Sequence, residues 1–166
     1  MRIEAVVRRK TQDLVQDAAE DLVRRVIPGV AAVERAELWA FDVDAPDGAE
    51  RVREILDETA LVVNPNVHRW SLEPWSGAPA RGARILVRVR DRVDPKGAQV
   101  LRAVRDRLGH AEFTQASRAV LWRVDLDSAD RAAAEEAGRA LTGGERGAGI
   151  LANPHAQDTL LQVVTA

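Results

Sequence analysis

Chemistry in this chain would have to come from three histidines and a handful of aspartates. His68, His110 and His155 carry imidazoles, which can ligate metals. None stands at a spacing such as His-Glu-x-x-His, which sets two ligands on one helix face. A mononuclear centre of His68, His155 and Asp158 would have to assemble from distant segments, and surface histidines near strand starts are the plainer reading. The pairs Asp42/Asp44 and Asp125/Asp127 each put two carboxylates on one strand face, as general acid–base work requires. They stand where a strand leaves toward a helix N-terminus, so capping is expected of them instead. Trp39 and Trp122 could stack a planar ligand, but they alternate with Phe41, Val43, Val124 and Leu126 and read as core. Neither a Gly-x-Ser-x-Gly elbow nor a Walker loop is present. The glycine-rich run Gly143 to Gly149 follows a helix instead of leading a strand into one, so a mobile loop is expected there, not a phosphate cradle. No catalytic, cofactor-binding or metal-binding residue is therefore assigned.

The composition agrees with that emptiness. The 166 residues carry 24 basic and 26 acidic side chains, for a formal net charge of −2, and 46% are hydrophobic. Balanced charge and ordinary apolar content exclude a disordered chain, and the length suits one medium domain or two small ones. With no cysteine there is no disulfide, thiolate nucleophile, iron–sulfur cluster or Cys-ligated zinc. Every basic residue except Lys10 and Lys96 is arginine. These arginines are scattered and offset by acids, so no nucleic-acid footprint is expected. No apolar run reaches the roughly 18 residues of a membrane helix, and Met1-Arg2-Ile3-Glu4 lacks the apolar core of a signal peptide, so a cytoplasmic protein without a membrane partner is expected.

The elements that must position these residues occur twice. Leu38-Trp39-Ala40-Phe41-Asp42-Val43-Asp44 returns as Leu121-Trp122-Arg123-Val124-Asp125-Leu126-Asp127. Arg2-Ile3 with Val7-Arg8 returns as Arg84-Ile85 with Val89-Arg90, and Leu61-Val62-Val63-Asn64-Pro65 as Ile150-Leu151-Ala152-Asn153-Pro154. Three blocks in one order read as a tandem duplication: one copy over 1–73, a Pro- and Gly-rich linker over 74–82, and a second copy over 83–166. Each copy reads strand, helix, strand, helix, strand. Ile3 to Arg9 and Arg84 to Arg90 suit strands. Asp13 and Gln16 resemble a capping box before a stripe of Leu14, Ala18, Leu22 and Val26, and Pro28-Gly29 ends that helix. Val100, Leu101, Val104 and Leu108 make the matching stripe, closed by Gly109. Asp47 with Glu50, and Ser128, should open the later helices. The last strands are Val67 to Leu72 and Thr159 to Val164. The expected fold is α+β, with helices on one face of a mostly antiparallel sheet and the two copies packed as a pseudo-two-fold particle.

The second copy, with Val93-Asp94-Pro95-Lys96-Gly97 after its first strand and Ile150-Leu151-Ala152-Asn153-Pro154 before its last, resembles PurS, the small subunit of phosphoribosylformylglycinamidine synthase. That family typically has Asp-Pro-x-Gly and Leu-Leu-Ala-Asn-Pro at these places. In the first copy Asn64-Pro65 is kept, but Gln12, Asp13 and Val15 align with Asp94, Pro95 and Gly97, so the turn is absent. The family's Gly-Lys pair before the middle strand is replaced by Ala36-Glu37 and Ala119-Val120. The resemblance implies a cofactor-free, non-catalytic subunit of purine biosynthesis that bridges PurL-like and PurQ-like partners. Family members assemble as dimers, so a tandem chain looks like a covalent dimer, with self-association a further expectation. The resemblance points to Asp94, Pro95, Lys96, Gly97, Asn153 and Pro154 as partner-binding residues. The alternative from another class is a paired ACT-like regulatory module that binds a small molecule.

Overall fold

Alternation of apolar and polar residues decides the strands. The computed structural model describes residues 1–166 apart from Ser76, Gly144, Glu145, Arg146 and Ala148. Part of the expected linker and most of the expected Gly143–Gly149 loop thus lie outside the described residues. The elements are β1 (Arg2–Arg9), α1 (Leu14–Val26), β2 (Val30–Val43), α2 (Gly48–Glu58), β3 (His68–Ser71), β4 (Ala83–Asp91), α3 (Pro95–Arg102), β5 (Phe113–Leu126), α4 (Arg131–Thr142) and β6 (Gln157–Thr165). A π-helical turn, Ala103–Arg107, continues α3. The strands form one six-stranded sheet in the order β3-β1-β2-β5-β4-β6. Within it β1 runs antiparallel to both β2 and β3, and β4 antiparallel to both β5 and β6. This is the expected α+β class.

Two compact units divide the chain, and neither is a sequence half. The first takes Met1–Gln12, Ala36–Trp75 and Val93–Ala119; the second takes Asp13–Arg35, Ser76–Arg92 and Val120–Ala166. β1 therefore belongs to one unit and the helix that follows it, α1, to the other. β2 and β5, each 14 residues long, contribute one end to each unit. In the first unit Ala5, Val7, Trp39, Phe41, Val43 and Phe113 are buried under Val52, Ile55 and Leu56 of α2 and Val100 and Val104 of the α3 segment. In the second, Ile85, Val87, Trp122, Val124 and Leu126 are buried under Val23 of α1 and Ala134, Ala137 and Leu141 of α4. In each unit both helices thus cover one sheet face. The two tryptophans are core, as alternation predicted, and Trp39 stacks on Phe41 at 6.3 Å between ring centroids. Each fully buried large side chain stabilises its unit by roughly 1.5–3 kcal/mol.

Four local expectations are corrected. The α1 stripe faces outward: Leu14 is 71% exposed, Leu22 51% and Val26 59%, while Val23 is fully buried. Both stripes have helical period, and the second unit's core takes the one bearing Val23 and Ile27. Gln16 does not complete a capping box; its Oε1 accepts from the Arg35 N–H at 2.9 Å. Asp13 does cap α1, accepting from the N–H groups of Val15 and Gln16, which makes it the counterpart of Asp94 and moves the alignment by one residue. The Asp42 and Asp125 carboxylates are not caps. They meet Arg2 and Arg84 across the strand pairs, Asp42 at 3.3 Å and Asp125 at 2.7 Å, because the registers place Arg2 opposite Asp42 and Arg84 opposite Asp125. At the later helices, Asp47 stands at the α2 N-cap but spends its carboxylate on Arg51. Asp130, not Ser128, caps α4; the Ser128 hydroxyl oxygen accepts from the Asp130 N–H.

Truncating the two kinds of apolar residue should separate them. Phe113→Ala, at a fully buried position, is expected to cost about 3–5 kcal/mol. Leu22→Ala should change stability by less than about 0.5 kcal/mol. Urea unfolding followed by circular dichroism measures both.

Candidate functional site

The two Asn-Pro segments fold into the same turn. The Asn64 carbonyl accepts from the Val67 and His68 N–H groups at 3.1 and 2.8 Å, and the Asn153 carbonyl from Ala156 and Gln157 at 3.1 and 2.9 Å. Each asparagine Oδ1 accepts from the N–H two residues on, that of Asn66 or His155, at 3.0 Å. Each asparagine N–H donates to the side chain four residues on, His68 Nδ1 or Gln157 Oε1. Proline supplies no N–H and holds its predecessor extended, so the turn must be closed from the asparagine. A cation from the end of the first strand of the same unit then grips the proline carbonyl: Lys10 Nζ on Pro65 at 2.7 Å, and Arg92 Nη2 on Pro154 at 3.0 Å. Arg92 is itself held by Asp158 at 3.1 Å. Hydrogen bonds from Arg92, then from Arg90, hold the Asp158 carboxyl below its ordinary value.

Asp94 joins α3 to β5. Its Oδ1 accepts from the Gly97 N–H at 2.8 Å and its Oδ2 from the Arg118 N–H at 2.6 Å. Pro95 occupies the first helical turn, where its missing N–H is not needed. A Cβ on Gly97 would collide with the Asp94 carboxylate and the Ala116 carbonyl, so glycine is required at that approach. Of the expected partner-binding residues, Asp94 and Gly97 thus build the turn, while Pro95 and Lys96 are exposed on it and Asn153 is exposed at the other turn.

Lys96 also lines a cleft of ≈ 550 Å³ in the first unit. Its floor is Trp39 of β2, Leu61 and Val62 after α2, and Val100 and Ala103 of the α3 segment. Its rim carries Lys96, Arg102, Arg107 and His68, with Gln99, Asp106 and Glu37 between them. Glu37 is occupied by an ion pair to Arg118 and by the Trp39 indole N–H at 3.3 Å. The His68 ring accepts the Asn64 N–H through Nδ1, which assigns the ring proton to Nε2. Lys96 and His68 are conspicuous in the sequence, but nothing there puts them in one cleft, and Gln99, Arg102, Asp106 and Arg107 are not conspicuous. The available signal was the polar face of α3, at positions where α1 carries apolar residues. Among the described residues, no group of three or more His, Cys, Asp or Glu could hold a metal ion.

Two measurements test the Asn153 turn. Asn153→Ala removes the Oδ1 acceptor and should cost about 1 kcal/mol in chemical denaturation. The Asp158 carboxyl, lowered in the fold, contributes stability that is present above the ordinary aspartate value of about 3.9 and is lost as pH falls through the lower folded value. The Arg92 Nε–H resonance should therefore hold its position from neutrality down to about pH 4 and shift only on further acidification. In Asp158→Asn that acid shift should be absent.

No protein-family model matches the chain, and no curated protein matches it.

Proposed function

We propose that this chain is a PurS-like, non-catalytic subunit of a phosphoribosylformylglycinamidine synthase complex, bridging a PurL-like synthetase and a PurQ-like glutaminase. The observation that carries a role through surfaces is the outward stripe of α1, where Leu14, Val15, Ala18, Leu22 and Val26 are all exposed. A helix of a soluble monomer normally turns its apolar stripe to the core, and apolar side chains gathered on one exposed face mark an interaction site. The choice of complex is supported by the motifs: Asp94-Pro95-Lys96-Gly97 and Ile150 to Pro154 stand in the order the family shows.

Mixing the purified chain with PurL-like and PurQ-like subunits from the same source, in glutamine and Mg-ADP, should give one co-eluting complex on size exclusion. Leu22→Glu should abolish co-elution while leaving the urea midpoint of the free chain in place. Separate elution of the unmodified chain under these conditions would falsify the reading.

A further inference from the structure

We infer that the cleft of the first unit binds a small organic phosphate, a phosphomonoester carried on a compact apolar or planar body. The inference stands on the cleft alone and is independent of the assembly role. Three features carry it: charge, shape, and the contrast with α1.

The charge at the rim is only partly compensated. Among the described residues, the side chains of Lys96, Arg102 and Arg107 make no ion pair or hydrogen bond, and they face one free carboxylate, that of Asp106, because Glu37 is held by Arg118. Three cations around one opening, with the His68 Nε2–H beside them, match a dianion, which accepts several charge-assisted hydrogen bonds at once. Lys96 sits in the first turn of α3, whose N-cap is already filled by the Asp94 carboxylate. A cation there opposes the helix dipole, so its position does not serve the helix. Lys96 is therefore left to face the cleft, where it would meet an anion together with Arg102 and Arg107.

The shape suits an organic body in place of a bare ion. A volume of ≈ 550 Å³ lies within the range of small-molecule sites, and an apolar floor under a few polar groups is their usual composition. The π-helical turn forms one wall, with Ala103 at its base and Asp106 and Arg107 at the opening. Such turns frequently accompany functional sites, because the extra residue redirects side chains.

The contrast with α1 shows that this lining is particular to the first unit. Counted from the capping residues Asp94 and Asp13, the positions of Lys96, Gln99 and Ala103 are held in α1 by Val15, Ala18 and Leu22. One helix presents a cation, an amide and a methyl group where the other presents an apolar row. Ala103 in place of a leucine leaves open the volume above the floor.

Isothermal titration calorimetry on the full chain at low salt tests this with adenosine monophosphate, ribose phosphate, inorganic phosphate and adenosine. The two organic phosphates should bind, with affinity falling as salt screens the rim, and adenosine should not. The surface variant Lys96→Gln/Arg102→Gln should weaken binding about tenfold. Ala103→Leu, which fills the cleft with the residue α1 carries, should abolish it, with an unchanged far-ultraviolet spectrum showing that the chain still folds. The proposal is overturned if neither organic phosphate binds at millimolar concentration, or if the double variant binds as tightly as the unmodified chain. Inorganic phosphate binding as tightly as adenosine monophosphate also overturns it, since the floor would then contribute nothing.

Discussion

The capping aspartates are the constraint on which the arrangement of helices depends. Asp94 receives the N–H of Gly97 in its own helix and the N–H of Arg118 in β5. One carboxylate thus satisfies a helix end and fastens that end to a strand. Asp13 does the equivalent for α1, with the Arg35 guanidinium at 3.0 Å in place of a strand N–H and Gln16 taking the Arg35 N–H itself. Asp13 is almost fully buried, where an unpaired carboxylate would be costly, so these partners are obligatory. They place α1 against the first part of β2 and α3 against the first part of β5. That assigns each helix to its unit, and the wall of the cleft follows from the second assignment.

A second layer of constraint is the Asn-Pro turn. Its closure uses only short-range hydrogen bonds, which is why the same pattern occurs at Asn64 and Asn153 although the neighbouring side chains differ, His68 in one and Gln157 in the other. The cation that holds the proline carbonyl is lysine once and arginine once. Either suffices for one carbonyl, but the Arg92 guanidinium spreads its donors over three nitrogens and reaches Asp158 and the His155 carbonyl as well. In the first unit the turn also fixes His68 at the rim of the cleft, so a local backbone requirement positions a side chain with a free ring N–H.

Much of this was legible in the sequence. Alternation placed Trp39 and Trp122 in the core, glycines at positive φ close α1 and the α3 segment at Gly29 and Gly109, and proline marked both turns. The Asp42 and Asp125 carboxylates resemble caps in the sequence because their actual partners, Arg2 and Arg84, are neighbours only through strand register. The cleft was not legible for a similar reason. Lys96, Trp39 and Leu61 are far apart in the chain, and only the packing of α3 on the sheet face of the first unit makes them one lining.

The sequence by itself determined the kinds of most elements, the glycines that close two helices and the Asn-Pro turns, because these depend on interactions among residues close along the chain. The tertiary structure decided which stripe of α1 is buried and which unit each helix joins. A helical period in α1 is compatible with burying Leu14, Leu22 and Val26 or burying Val23 and Ile27. That choice depends on the shape of the surface presented by Ile85, Val87, Trp122 and Val124, to which residues distant along the chain contribute.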